Sequence, residues 1–152
     1  MNFEKIEQAY SLLLESVQEL QNTLLTNFYD ALVEQNGVYL DGNTELAIVK
    51  KNNETLKSLE LGKEEWRRAY QFLLMKAAQT EPLQANHQFT PDSIGFILTF
   101  LIDQLSKKGC IDVLEIGSGM GNLAETILNN TKKNVDYLGL ELDDLLIDIS
   151  AS

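Results

Sequence analysis

The chain has 152 residues and a formal net charge of -11, from 23 acidic and 12 basic side chains. Apolar residues make up 44% of it, which places it with folded globular proteins and excludes a disordered chain. The length accommodates one domain, or one domain with an appendage. No stretch approaches the roughly 18 uncharged apolar residues of a membrane helix, and no secretory leader pattern opens the chain. Cys110 is the single cysteine, so no internal disulfide forms, consistent with a reducing cytoplasm. With His87 the single histidine, a conventional structural zinc site is disfavoured. Acids outnumber bases 13 to 8 in residues 1–81 and 10 to 4 in residues 82–152. Nothing forms a basic arm or groove, so tight nucleic-acid binding by this chain alone is disfavoured, and the acidity reads as a device for solubility.

The first half reads as helical. Phe3, Ile6, Tyr10, Leu13, Val17, Leu20 and Leu24 recur at spacings of 3 and 4, one stripe of a helix. Asn2 suits the N-cap, and no Gly or Pro interrupts before Gly37, so one long helix from Phe3 to Gln35 is expected. Its stripe is either a coiled-coil seam or a face packed on neighbouring helices. The loosening of the pattern at Phe28 and Leu32 favours packing. Asn36-Gly37 and Asp41-Gly42-Asn43 are turn chemistry around a short Val-Tyr-Leu piece. A second helix is expected from Asn43 or Thr44 to Leu59, and a third from Lys63 to Gln79. In the third, Trp66, Tyr70, Leu73, Leu74 and Ala77 share a face, more simply core than ligand site. Residues 1–81 contain no catalytic constellation and read as a scaffold or partner-binding domain, able to hold a protein partner or a second copy through its helices.

The character changes at Pro82, and the polar stretch Thr80–Gln88 is the expected domain junction, dividing the chain into 1–81 and 82–152. In Phe89-Thr90-Pro91-Asp92-Ser93, Thr90 suits an N-cap, Pro91 the first helical position and Asp92 the positive end of the dipole. Ile94, Ile97, Leu98, Leu101 and Leu105 would line one face of that helix, with Lys107-Lys108-Gly109 closing it. Ile111–Ile116 reads as a buried strand, with Cys110 before it as a small core residue. It runs into Gly117-Ser118-Gly119-Met120-Gly121-Asn122, a helix from Leu123 to Asn130, a second strand Val135–Leu140, and then Glu141.

Strand, glycine turn, helix, strand and acid are the opening unit of a doubly wound α/β sheet. Glycines let the backbone turn sharply and approach a ligand closely, while the helix N-terminus offers free N–H groups. An acid at the end of the second strand can accept hydrogen bonds from both ribose hydroxyls. The glycine spacing separates cofactors. A dinucleotide fingerprint is G-x-G-x-x-G, whereas here the third glycine comes one residue early and Asn122 stands in its place. Glu115, at the end of the first strand, suits a cationic ligand better than a diphosphate. An adenosine with a positively charged tail meets these conditions, and S-adenosylmethionine is such a ligand.

Val113-Leu114-Glu115-Ile116-Gly117-Ser118-Gly119-Met120-Gly121-Asn122 resembles motif I of class I S-adenosylmethionine-dependent methyltransferases. Leu138-Gly139-Leu140-Glu141-Leu142-Asp143 resembles their motif II. Phe89-Thr90-Pro91, placed before motif I, is similar to motif X of N6-adenine DNA methyltransferases. That order and the helical segment in front resemble the modification subunits of type I restriction systems. The resemblance covers residues 84–144. It implies an α/β fold: a helical N-terminal domain, then the first two strands of a Rossmann-like methyltransferase sheet. It also implies that Gly117, Ser118 and Gly119 shape the loop beneath the methionine part of the cofactor. Glu115 would orient that loop or its bound water, Glu141 would hold the ribose hydroxyls, and Phe89, Thr90 and Pro91 would lie near the methionine carboxylate. Asp143 is either a further contact or a surface helix cap.

Two departures bear on function. Motif I here is the generic Glu-Ile-Gly-Ser-Gly-Met-Gly, not the Asp-Pro-x-x-Gly-Ser/Thr-Gly of modification subunits. The chain also stops at Ser152, inside the helix after the second strand, and has no Pro-Pro at all. The family's Asn/Asp-Pro-Pro-Tyr/Phe loop, which grips the target amine of a flipped base, is therefore missing. The expected reading is the N-terminal portion of an N6-adenine DNA methyltransferase, inactive alone, with DNA contacted only through the missing part. The alternatives are a short non-catalytic partner-binding protein with a relic glycine loop, or a methyltransferase of RNA, protein or small molecules. An NAD-linked oxidoreductase is disfavoured by the glycine spacing.

Overall fold

The computed structural model describes residues 1–81 and 89–152; His87 and most of the expected domain junction lie outside the described residues. The chain divides into two compact units, Met1–Gln84 and Ala85–Ala151.

The first unit consists of α1 (Phe3–Leu24), α2 (Phe28–Asp41), α3 (Ala47–Ser58) and α4 (Lys63–Thr80). Asn2 caps α1, its side chain accepting from the amides of Glu4 and Lys5. The α1 stripe is a packing face: Ile6, Ala9, Leu13, Val17 and Leu20 are buried, and α2, α3 and α4 all pack on this helix. Each fully buried leucine or isoleucine there contributes about 1.5–3 kcal/mol relative to exposure.

The expected single helix to Gln35 is in fact two. Leu25 takes a left-handed conformation that ends α1, and Asn27 begins α2 by accepting from the amide of Asp30. Glu81 receives the new helix, one carboxylate oxygen accepting from the amide of Phe28 at 3.0 Å and the other from Gln21 at 2.9 Å. The cap and its receptor together outweigh the unbroken helical propensity of the segment. Gly37 does not make a turn; α2 runs through it and stops at Gly42, which is left-handed. Residues 41–46 are held by side chains, with Asp41 accepting from the Asn43 amide and Thr44 from that of Leu46. These local bonds delay α3 to Ala47.

Leu73, Leu74 and Ala77 of α4 are buried, and Arg67 is buried with a two-pronged contact to Glu64, at 2.6 and 2.9 Å. Trp66 lies edge-on to Tyr39, with ring centroids 5.3 Å apart, and beside Tyr70, whose hydroxyl donates to Asn36. The aromatic pair is packing between helices.

The second unit runs α5 (Asp92–Leu105), β1 (Cys110–Ile116), α6 (Asn122–Asn130), β2 (Asn134–Leu140) and α7 (Asp144–Ala151). The strands pair in parallel from Cys110↔Asn134 to Ile116↔Leu140, α6 being the crossover between them. Helix α6 packs on α5 and β2.

Five local expectations fail here. Pro91, not Thr90, occupies the N-cap of α5, its carbonyl accepting from the amides of Ile94 and Gly95. The pyrrolidine ring holds Pro91 at φ -56° with an extended ψ of 137°, outside the helix. The helix ends at Leu105 with Ser106 as C-cap, before Lys107-Lys108-Gly109. Its buried face is small, Gly95 and Thr99, while Ile94, Ile97, Leu101 and Leu105 are exposed. Close approach of α6 selects the glycine: a Cβ on Gly95 would lie 2.6 Å from Thr126 Cγ2. The β1 strand is not buried throughout but alternates between exposed and half-buried residues, and Cys110 is exposed.

Candidate functional site

The turn after β1 is built from left-handed glycines. Gly117, Gly119 and Gly121 have φ of 77°, 55° and 83°, a region that strains any residue with a Cβ. Gly121 serves as the N-cap of α6. The turn is fastened to the end of β2, where the carbonyl of Leu140 accepts from the amides of Gly117 at 2.7 Å and Ser118 at 3.1 Å. A Cβ built on Gly117 or Gly119 would meet nothing within 4 Å, so open space lies over the turn.

Glu141, immediately after β2, meets this turn. Its Oε2 accepts from the amide of Gly119 at 2.8 Å, and its Oε1 from those of Leu142 at 2.7 Å and Asp143 at 3.2 Å. The structure thus brings Gly117, Ser118, Gly119 and Glu141 into one place. Asp143 accepts from the amides of Leu145 and Leu146 and caps α7.

Glu115 is half-buried, and among the described residues its partner is Tyr137, whose hydroxyl donates to Glu115 Oε2 at 2.8 Å. Burial pushes the Glu115 carboxyl above its ordinary pKa of 4.5, while the tyrosine bond acts the other way. Burial, then the adjacent carboxylate, raises the Tyr137 hydroxyl. Phe89 and Thr90 are half-buried and Pro91 is exposed. Buried Asn122, at the start of α6, donates from Nδ2 to the carbonyl of Thr90 at 3.1 Å. The Phe89–Pro91 segment is thereby tied to the helix that the glycine turn introduces.

Two contributors were not singled out from the sequence. A Cβ on Gly139 would lie 2.8 Å from Ser118 Oγ and 2.9 Å from its Cβ, so the turn sits directly on this glycine. A lone glycine inside a strand pattern is the available signal of such close approach. Tyr137 precedes it by two residues on β2, and only the pairing register reveals that it reaches Glu115. Among the described residues, no group of three or more His, Cys, Asp or Glu is placed to hold a metal ion. Nor is any of their helices long and apolar enough to cross a membrane.

A parallel strand pair, a glycine turn fastened to the second strand and an acid meeting the turn make up the candidate site of this α/β unit. Over 161 aligned residues the chain is 29% identical to YtxK of Bacillus subtilis, an uncharacterised protein, covering 99% of this chain and 49% of YtxK. Its fold is similar to the crystal structure of a candidate class I S-adenosylmethionine-dependent methyltransferase from Listeria monocytogenes. That likeness has a TM-score of 0.83 and 28% identity, covering 99% of this chain and 49% of the Listeria chain. The chain spans about half the length of both. No protein-family model matches it.

Proposed function

We propose that this chain is the cofactor-binding portion of an S-adenosylmethionine-dependent methyltransferase. The observation that carries the reading is the convergence of Gly119 and Glu141 within a fold like that of the Listeria protein. The residues fit the group: left-handed glycines leave open space over the turn, and a carboxylate at the end of β2 matches ribose hydroxyls. Glu115 adds negative charge at the end of β1, suited to a cationic ligand. S-adenosylmethionine supplies an electrophilic methyl group on a sulfonium when bound. In this reading Gly117, Ser118 and Gly119 shape the floor of the site, Glu141 orients the ribose, and Phe89, Thr90 and Pro91 border the methionine end.

We further infer N6 of adenine in DNA as the acceptor in the complete enzyme. The supporting feature is the order of the chain, with Phe89-Thr90-Pro91 ahead of the glycine turn and tied to it through Asn122. No Asn/Asp-Pro-Pro-Tyr/Phe loop occurs in these 152 residues, so the chain alone is expected to transfer no methyl group to DNA. In a complete enzyme, DNA contacts would belong to the portion that carries such a loop. A protein partner or second copy of the helical unit would meet its outer faces, since the α1 seam is buried.

Calorimetry with S-adenosylhomocysteine tests the reading, with NADH in parallel. Saturable binding of the former and none of the latter is expected. Equal or stronger binding of NADH, or no response to either, would reject it.

A further inference from the structure

All the lysines and arginines of residues 82–152 come as two pairs well apart in the sequence, Lys107-Lys108 and Lys132-Lys133. Strand pairing brings them together. Each pair lies in the loop that enters a strand, and the strands start side by side, Cys110 opposite Asn134. The carbonyl of Gly109 accepts from the amide of Asn134 at 2.9 Å, joining the loops themselves. The cluster stands where β1 and β2 begin, at the opposite end of the strands from the glycine turn.

Both loops are fastened by groups other than the ammonium ends. Asp103 of α5 accepts from the Thr131 hydroxyl at 2.7 Å and from the Lys132 amide at 3.1 Å. Thr131 accepts in turn from the amide of Lys133 at 3.1 Å, and Ser106 from that of Lys108 at 3.3 Å. Lys107, Lys108 and Lys132 are exposed and Lys133 is half-buried. Among the described residues none of the four makes an ion pair. Like charges held together without partners repel one another, and an anion docked on the loops relieves that repulsion. With the backbone already fixed, docking orders little beyond the lysine side chains.

The surroundings select the kind of anion. The Thr131 bond foremost, with the Lys132 amide and the charges of Lys132 and Lys133, holds the Asp103 carboxyl below its ordinary pKa, so it stays ionised. Asp112 and Asp136 stand two residues inside the strands. These acids bound the patch, so a long polyanion crossing it would run onto carboxylates. The two loops also contain no arginine to fork onto phosphate and no aromatic ring on which a base could stack. A short run of carboxylates meets both limits.

We infer that the paired loops, residues 106–109 and 131–133, form a docking surface for a short acidic peptide segment of a protein partner, its carboxylates meeting Lys107, Lys108, Lys132 and Lys133. The inference is independent of which ligand the glycine turn takes.

The test titrates the full chain with a hexaglutamate peptide and, separately, with a single-stranded oligonucleotide of the same charge. Backbone amide shifts and fluorescence anisotropy are followed at low and physiological salt. The peptide is expected to move the amides of residues 106–110 and 131–134, and to bind about tenfold more weakly at the higher salt. The double change Lys107→Glu with Lys108→Glu is expected to weaken it about tenfold or more. Lys50→Glu with Lys51→Glu, an equal change of net charge on exposed positions of α3, is expected to leave binding unaltered. Circular dichroism checks that each variant stays folded, and Lys107→Gln with Lys108→Gln repeats the test without adding acids. Peptide shifts absent or lying elsewhere, or equal loss in the α3 variant, would overturn the inference. Tighter binding of the oligonucleotide would also overturn it and make the surface one for nucleic acid. So would salt-sensitive self-association that the Lys107 and Lys108 changes abolish, which would make a second copy the occupant.

Discussion

The amide of Gly119 donates to the carboxylate of Glu141 across 2.8 Å, joining the turn after β1 to the residue that follows β2. A single carboxylate thus fixes the loop, and in the proposed function the same group would hold the ribose. Under the proposed function, Glu141→Gln keeps the shape of the side chain but weakens both roles. S-adenosylhomocysteine affinity is expected to fall severalfold, and Glu141→Ala to cost about tenfold or more, near 1.4 kcal/mol. Isothermal titration of both variants decides; unchanged affinity would remove Glu141 from the site.

Gly139 lies under Ser118, and the clash of an added methyl is with a turn already fastened by two bonds to Leu140. Gly139→Ala is expected to destabilise the second unit by about 1–3 kcal/mol, the usual range for overpacking. Combining it with Ser118→Gly removes the atoms it meets and should restore part of the loss. Thermal melts of the two single variants and the double one form the cycle; strict additivity would show that the two residues do not press on each other.

Helix α5 makes the same kind of demand. Gly95→Ala would bring a methyl 2.6 Å from Thr126 Cγ2 and force α5 and α6 apart. The expected loss is again about 1–3 kcal/mol. Thr126→Ser, which deletes that methyl, should relieve it. A Gly95→Ala protein that melts at the unaltered temperature would show that the helices are not so closely seated.

The sequence carried the architecture because the two short strand runs, the glycine turn and the α1 stripe are local patterns. The α4 bounds and both strand positions follow from them to within one residue. The break at Leu25 was not visible in the same way. It depends on Asn27 capping α2 and on Glu81, more than fifty residues away, receiving the first amide of that helix. The face of α5 was misread for a related reason. Ile94, Ile97, Leu101 and Leu105 form a proper apolar stripe, but α6 packs on Gly95 and Thr99, where small size matters more than hydropathy. In the candidate site the glycines and Glu141 were legible from spacing. The seating of Ser118 on Gly139, and the reach of Tyr137 to Glu115, required the strand register.

Glu65 ties the start of α4 to the start of α1, its carboxylate accepting from the amides of Gly62 at 3.0 Å and Asn2 at 2.6 Å. Those bonds, led by that of Gly62, lower its pKa from 4.5. A carboxyl more acidic in the fold than in the unfolded chain stabilises above the unfolded pKa, and that contribution disappears as pH falls through the folded one. Melting temperature is therefore expected to drop below about pH 4.5, and Glu65→Gln should flatten that acid limb. An identical acid limb in the variant would assign the loss to other carboxyls.

Tyr137 and Glu115 present the opposite sign. Burial raises the Glu115 carboxyl, so the fold holds its proton to higher pH than the unfolded chain does; this contribution is present at low pH and fades as pH rises through the raised value. The Tyr137 hydroxyl supports the ionised form and limits the shift. Tyr137→Phe deletes that donor and leaves the neighbouring burial largely intact, so the Glu115 carboxyl is expected to titrate at higher pH still. Carboxyl carbon shifts of selectively labelled glutamate, followed from pH 3 to 8 in the chain and the variant, measure it directly. An upward move of the Glu115 midpoint would confirm the hydrogen bond as the restraining contribution. A midpoint that stays or falls would mean that Tyr137 affects Glu115 chiefly by excluding water.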